Sequence, residues 1–179
     1  MIIEESGIVF GEFDNEKVFW IEQSAVYKRY SGSKIRSVEF MLKREPNELW
    51  FIEAKSGAPK MSKQDDCDRF ITVIFEKMSH SFSLLVSVML NRNTDEQAEL
   101  SNGFRMIDWA VVNVKFVLVI NWDQSYPDAW LNPLRDALQR KFAERIPASL
   151  KIWRIRPELS VAVINYRMAA KYGLIKGNI

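Results

Sequence analysis

The 179-residue sequence predicts an α/β domain, with a mixed central β-sheet flanked by helices on both faces. Three observations predict it. Strand-like runs and helical spacings follow one another as strand, helix, hairpin, helix, strand, helix, strand, helix. The run from Lys115 to Asn121 (KFVLVIN) is almost unbroken apolar sequence, as a strand covered on both faces requires. The stretch from Ile35 to Lys55 reads as two strands joined by Arg44-Glu45-Pro46-Asn47, where Pro fixes φ and Asn tolerates the left-handed region. A chain of this length predicts one domain over residues 1–179.

In chain order, Gly7 to Phe13 predicts a short strand broken by Gly11. Asp14 or Asn15 then caps a helix over Lys17 to Tyr30, with apolar residues at Val18, Ile21, Ala25 and Val26, and Ser31-Gly32-Ser33 stops it. After the hairpin, Ser56-Gly57-Ala58-Pro59 is a loop. Asp65 and Asp66 start a helix that runs to about Leu90, its apolar stripe interrupted by Lys77. Asn91 to Asn102 is a polar connection, and Phe104 to Val112 has no decisive period. Ala129 to Arg145 is amphipathic through Trp130, Leu134, Leu138 and Phe142, and Pro147 ends it. Leu150 to Ile155 alternates like a strand, and Pro157 opens a last helix reaching about Tyr172.

Composition narrows the function. With 47% hydrophobic and 27% charged residues, the chain has the makings of a substantial core and a mixed-sign surface. The single Cys67 excludes an internal disulfide and suits a reducing compartment. His80, the one histidine, has no second histidine for a metal cluster and reads as a packed or surface residue. The run Leu84 to Leu90 is interrupted by Ser87 and ends at Asn91-Arg92-Asn93, so no apolar run of bilayer length is expected. MIIEESG lacks a signal-peptide pattern. A cytoplasmic protein with no membrane partner is the expectation. Net charge is only +2, but the last third is basic: Arg135, Arg140, Lys141, Arg145, Lys151, Arg154, Arg156, Arg167, Lys171 and Lys176. That bias reads either as a phosphate-binding surface beside an acidic pocket or as ordinary solvated helix faces.

The hairpin carries charges where a buried strand should have none. Side chains on a strand share a face at every second residue, so Glu53 and Lys55 point the same way. With the turn centred on Pro46, Glu39 falls opposite Glu53, at a Cβ separation of about 4.5–5.5 Å. Two carboxylates so close raise each other's pKa unless a cation lies between them. A hard ion, Mg²⁺ or Mn²⁺, is the natural cation, and it leaves Lys55 to steady a water or a negative transition state. The plainer reading is a solvated pair on an open sheet face, worth about 0.2–1 kcal/mol.

An acidic residue, a hairpin turn and then Glu-x-Lys on the next strand resembles the PD-(D/E)xK nuclease superfamily. Glu39, Glu53-Ala54-Lys55 and the following Ser56 carry the likeness, which covers mainly Asp14 to Leu90. The chain departs from the pattern in having Glu39 where Asp is commoner, with no Pro before it. The resemblance implies a restriction-endonuclease-like core and a catalytic set of Glu39, Glu53 and Lys55, with Mg²⁺ or Mn²⁺ on Glu39 and Glu53. It further implies a carboxylate from the helix before the hairpin, for which Glu22 is the candidate, the alternative being a boundary residue at the edge of its helix. From the helix after the hairpin it implies a Lys or Gln. Lys77 is that candidate, with Gln64 second, and Lys77 snorkelling along its helix is the alternative. The implied activity is hydrolysis of DNA phosphodiesters, with DNA as partner and a homodimer or a larger nuclease system as context. A reading of another class is a catalytically inactive nuclease-fold module for binding or assembly, its six tryptophans serving an interface.

Overall fold

The computed structural model describes residues 1–44, 47–60, 62–93, 99–122, 128–145 and 153–175. The strands are β1 (Ile3–Glu5), β2 (Ile8–Phe10), β3 (Val18–Phe19), β4 (Phe40–Arg44), β5 (Glu48–Lys55), β6 (Asn113–Ile120) and β7 (Val161–Asn165). The helices are α1 (Ala25–Tyr30), α2 (Gln64–Met89), α3 (Asn102–Arg105), α4 (Leu131–Arg145), α5 (Pro157–Ser160) and α6 (Tyr166–Lys171). β3-β4-β5-β6-β7 form a mixed five-stranded sheet, antiparallel as far as β5 and parallel from there on. β1 and β2 form a separate hairpin about Ser6-Gly7, both at positive φ, the backbone a two-residue turn needs.

Alternation along the strands makes two cores. Met41, Leu49, Phe51, Phe116, Leu118 and Val163 face α2 and α4. Phe40, Leu42, Ile52, Ala54, Val117 and Val119 face the β1–β2 hairpin and the C-terminal segment carrying Ala169 and Leu174. α2 links β5 to β6 and α4 links β6 to β7. Right-handed crossovers that step the same way along a sheet lie on one face, and these two helices share one core. β2 meets the segment before residue 176 at the Phe10–Ile175 bridge, beside which Gly11 N–H donates to the Leu174 carbonyl at 3.1 Å.

The structure corrects five sequence expectations. The helix expected from Lys17 to Tyr30 is instead β3, a 3₁₀ turn at Ile21–Gln23, and α1. Pairing of Val18 with Leu42 and Phe19 with Met41 extends the sheet, and this outweighs a weak helical period. Ser24, rather than Asp14 or Asn15, caps α1 by accepting the Tyr27 N–H at 3.2 Å, while Asp14 accepts Glu16 N–H in its own turn. The first hairpin strand begins at Phe40, not Ile35, because the Val38 N–H leaves the ladder for the Ser81 Oγ of α2. The helix expected from Pro157 to Tyr172 contains β7: Val161, Val163 and Ile164 are buried as the parallel neighbours of β6. Asn165 then caps α6 through the Met168 N–H. Of the strand expected over Leu150 to Ile155, residues 150–152 lie outside the described residues, and Trp153-Arg154 form a turn.

At 26 residues α2 is long and apolar enough, by length and composition alone, to cross a membrane, which the run Leu84 to Leu90 did not suggest. Here it buries Ile71, Ile74, Met78, Leu85 and Val88 against the sheet.

The fully buried Ser81 hydroxyl receives the Val38 N–H at 2.8 Å and pins α2 to the segment entering β4. Ser81→Ala leaves that N–H unsatisfied. It is expected to lower unfolding stability by about 1–3 kcal/mol in urea titrations, well beyond an ordinary serine substitution on the α2 surface.

Candidate active site

The register of β4 and β5 places the acidic residues. Phe40 pairs with Ile52, so Glu39 and Glu53 sit one step further along the same hairpin. The Glu39 N–H donates to the Ile52 carbonyl at 3.0 Å. Glu53 and Lys55 follow Leu49 and Phe51 on the α2 face of β5, and Glu39 shares that face with Met41. This end of β5 is its carboxyl end, where it runs parallel to β6. Ligands of open α/β sheets bind at that edge.

Lys77 comes down from α2 and fills the space between the two carboxylates. Its Nζ lies 3.3 Å from Glu39 Oε1, and 2.8 and 3.0 Å from the two oxygens of Glu53. Lys55 Nζ lies 2.5 Å from Glu53 Oε1 and 3.9 Å from Glu39 Oε1. Both glutamates are buried, Glu53 fully so, while Lys55 keeps 29% of its side-chain surface exposed. Lys77 therefore does not snorkel outward along α2. Gln64, the second choice from that helix, bonds Asp68 in the first turn of α2, at roughly 1.5 Å per residue some 20 Å from Lys77.

A second acidic group adjoins the first. Carboxylate oxygens of Glu5, Glu22 and Glu39 lie within 4.8 Å of one another, Glu5 and Glu22 being half-buried. Glu22 comes from the 3₁₀ turn after β3, and its N–H points at the Glu39 carbonyl across 3.5 Å. Glu5, which closes β1, is a residue the sequence reading missed. Its place depends on the Ser6-Gly7 turn, where Ser6 Oγ donates to the Ala54 carbonyl and Asn121 Nδ2 donates to the Ser6 carbonyl, each at 3.0 Å. The only local signal was an acidic residue next to a Gly turn. The structure thus brings Glu22, Glu39, Glu53, Lys55 and Lys77 together and adds Glu5.

Electrostatics follow from burial. The carboxyl of Glu39 is pushed up to about 9, first by burial and next by the charge of Glu53. Glu22 and a hydrogen bond with Glu5 add to the rise, and Lys77 opposes it. The Lys77 ammonium is pushed up too: burial works against its charge, and the carboxylates of Glu53 and Glu39 outweigh that. Glu39 Oε2 is buried and meets no hydrogen-bond donor among the described residues. Four carboxylates meet two ammonium groups, a formal deficit that a divalent cation on the Glu5, Glu22 and Glu39 oxygens would offset.

Other candidates lie elsewhere. His80 Nδ1 accepts the Arg36 N–H, so that nitrogen is occupied in the fold. Burial, with the Asp68 and Asp66 charges, pushes the Cys67 thiol up and away from a nucleophilic thiolate. Arg154 and Arg156 line a groove with Asn113 and Lys115 at the amino end of β6. Asn113 pairs with Glu48, five residues from Glu53, so roughly 17 Å of sheet separates this groove from the carboxylates. These two arginines do not border the acidic site. Lys151 and Lys176 lie outside the described residues.

In chelator, the folded Glu39 holds a proton that the unfolded chain releases near 4.5. The folded state then binds more protons, and stability falls as pH rises from about 4.5 to about 9. Glu39→Gln is expected to flatten that slope in chemical denaturation at a series of pH values.

Comparison of the chain with known protein families, with curated proteins and with solved structures finds no match.

Proposed function

We propose that this protein is a metal-dependent nuclease with a restriction-endonuclease-like core that hydrolyses DNA phosphodiesters. The observation that carries the proposal is the convergence of Glu5, Glu22, Glu39, Glu53, Lys55 and Lys77 at the carboxyl end of β5. Buried charge of this density is costly for stability, so a charge-based function is the economical account of it. Glu39, Glu5 and Glu22 would hold Mg²⁺ or Mn²⁺, a hard ion that prefers such oxygens, while Glu53, expected from the sequence as the second ligand, has its oxygens taken up by Lys77 and Lys55. When bound, the ion polarises a phosphoryl oxygen and acidifies its water.

The residues of the chain do the rest. Lys77 holds Glu39 and Glu53 in place, and removing it would leave two buried carboxylates facing each other. Glu53 anchors the Lys55 ammonium, and the exposed part of Lys55 is the part a substrate can reach. Lys55 orients the attacking water and donates hydrogen bonds to the charge that grows on the phosphoryl oxygens. In the overall reaction, water oxygen bonds to phosphorus and gives up a proton, the bond to the departing sugar oxygen breaks, and that oxygen takes up one proton in turn.

One observation favours a second reading. Glu53 is sealed from solvent and Glu39 nearly so, as in an inactive module that kept a charged core. Access on the nuclease reading therefore runs past Glu5, Glu22 and Lys55, which are only partly buried.

Lys55→Ala keeps the Glu5, Glu22 and Glu39 carboxylates and removes a competing cation. Mn²⁺ affinity by calorimetry is expected to hold or rise, while cleavage of DNA drops by about a hundredfold or more. Glu39→Ala should lose both. A wild-type protein that cleaves no nucleic acid with Mg²⁺ or Mn²⁺ would establish the module reading instead.

A further inference from the structure

A cavity of 540 Å³ is lined by Trp122, Trp130, Pro59, Pro133, Leu134 and Lys60 among others. Its walls come from the segments that leave β5 and β6 at their carboxyl ends. Asn121 N–H donates to the Lys55 carbonyl at 2.7 Å, and Trp122 is the next residue. Pro59 and Lys60 follow Lys55 by a single short loop. Among the described residues, a Cβ built on Gly57 in that loop would meet Trp122 Nε1 at 4.0 Å, so the loop passes the edge of the indole.

We infer that this cavity holds a nucleobase of a single-stranded or frayed DNA strand whose phosphate reaches Lys55. The inference rests on the nuclease reading for its phosphate and deepens that reading by naming the substrate as unpaired. Two indoles and two proline rings offer flat apolar surfaces, and every base has a π-face to stack on them. Trp130 keeps 54% of its surface exposed, an unusual state for so large an apolar ring. The volume lies within the roughly 300–1,000 Å³ span of small-molecule sites. Lys60 supplies a positive charge among the lining residues, which suits the phosphate that joins a base to its neighbours and does not suit a purely aliphatic guest. A base inside a duplex cannot enter without leaving its stack, so the cavity selects strands that are already open.

The test is binding in chelator, with no metal and hence no cleavage on the proposed mechanism. Anisotropy of a labelled hexathymidylate is compared with that of a labelled abasic backbone of equal length. Wild type is expected to prefer the base-bearing strand by about 5- to 150-fold, the scale of one stacked base. Trp130→Ala should lose most of that preference while binding the abasic strand as before, and Trp130→Phe should retain most of it. A blunt duplex should bind less tightly than the single strand. Equal binding of base-bearing and abasic strands, an unchanged Trp130→Ala, or no binding of any strand would overturn the inference. Cleavage with Mg²⁺, measured separately, distinguishes the two readings. Base-dependent binding without cleavage keeps the pocket and removes the nuclease; cleavage without base-dependent binding does the reverse.

Discussion

The Lys77 ammonium between the Glu39 and Glu53 carboxylates is the contact on which the rest of this structure depends. It joins the long helix α2 to the central hairpin through buried charge, 3.3 Å to one partner and 2.8 Å to the other. Such a contact is a poor source of stability compared with apolar packing, yet losing one member of a buried pair typically costs about 3–5 kcal/mol. Together with the bond between Val38 and Ser81 one helical turn away, it sets how far along the sheet α2 sits. An axial slip of a single turn would take Lys77 from both glutamates and leave Lys55 as the one cation still beside them.

The sheet topology explains why the charges gather where they do. β5 is the hinge of the fold, antiparallel to β4 on one side and parallel to β6 on the other. The hairpin brings Glu39 back to Glu53, while the parallel crossover lays α2 over the same face and delivers Lys77. The β1–β2 hairpin packs on the opposite face, but its turn reaches round the carboxyl end of β5, where Ser6 meets Ala54 and Glu5 meets Glu39. Four chain segments distant in sequence thus surround one sheet edge.

Burial divides the cluster by role. The inner part, Glu53 with Lys77, is enclosed and has its charges matched. The outer part, Glu5, Glu22 and the exposed portion of Lys55, faces the mouth, and Glu39 belongs to both. Glu39 carries the raised pKa because it is buried and bordered by carboxylates, with one oxygen turned from the lysines. The apolar cavity about Trp122 and Trp130 draws walls from the segments that follow β5 and β6, Asn121 N–H bonding the Lys55 carbonyl just before Trp122.

Local chemistry in the sequence determined a good deal of this. Alternation and the Arg44–Asn47 turn residues set the hairpin register, because a slip of one residue would turn the apolar face of β5 outward, and that register alone put Glu39 beside Glu53. The period of α2 made Lys77 stand out as a cation on an apolar stripe. The run Lys115 to Asn121 announced β6 by its lack of polar residues. Other features were decided by tertiary structure. Val161–Asn165 became a strand because an open edge of β6 was there to pair with it, whereas locally it follows a helix-starting Pro157-Glu158. Val18–Phe19 left its helical period for the edge of β4 in the same way. Glu5 joined the site through a turn that closes on residues more than a hundred positions away, and the basic residues Arg154 and Arg156 went to the far end of β6. Residue periodicity records which face of an element is apolar. Which edges meet, and which charges they bring together, depends on contacts between segments that local sequence does not encode.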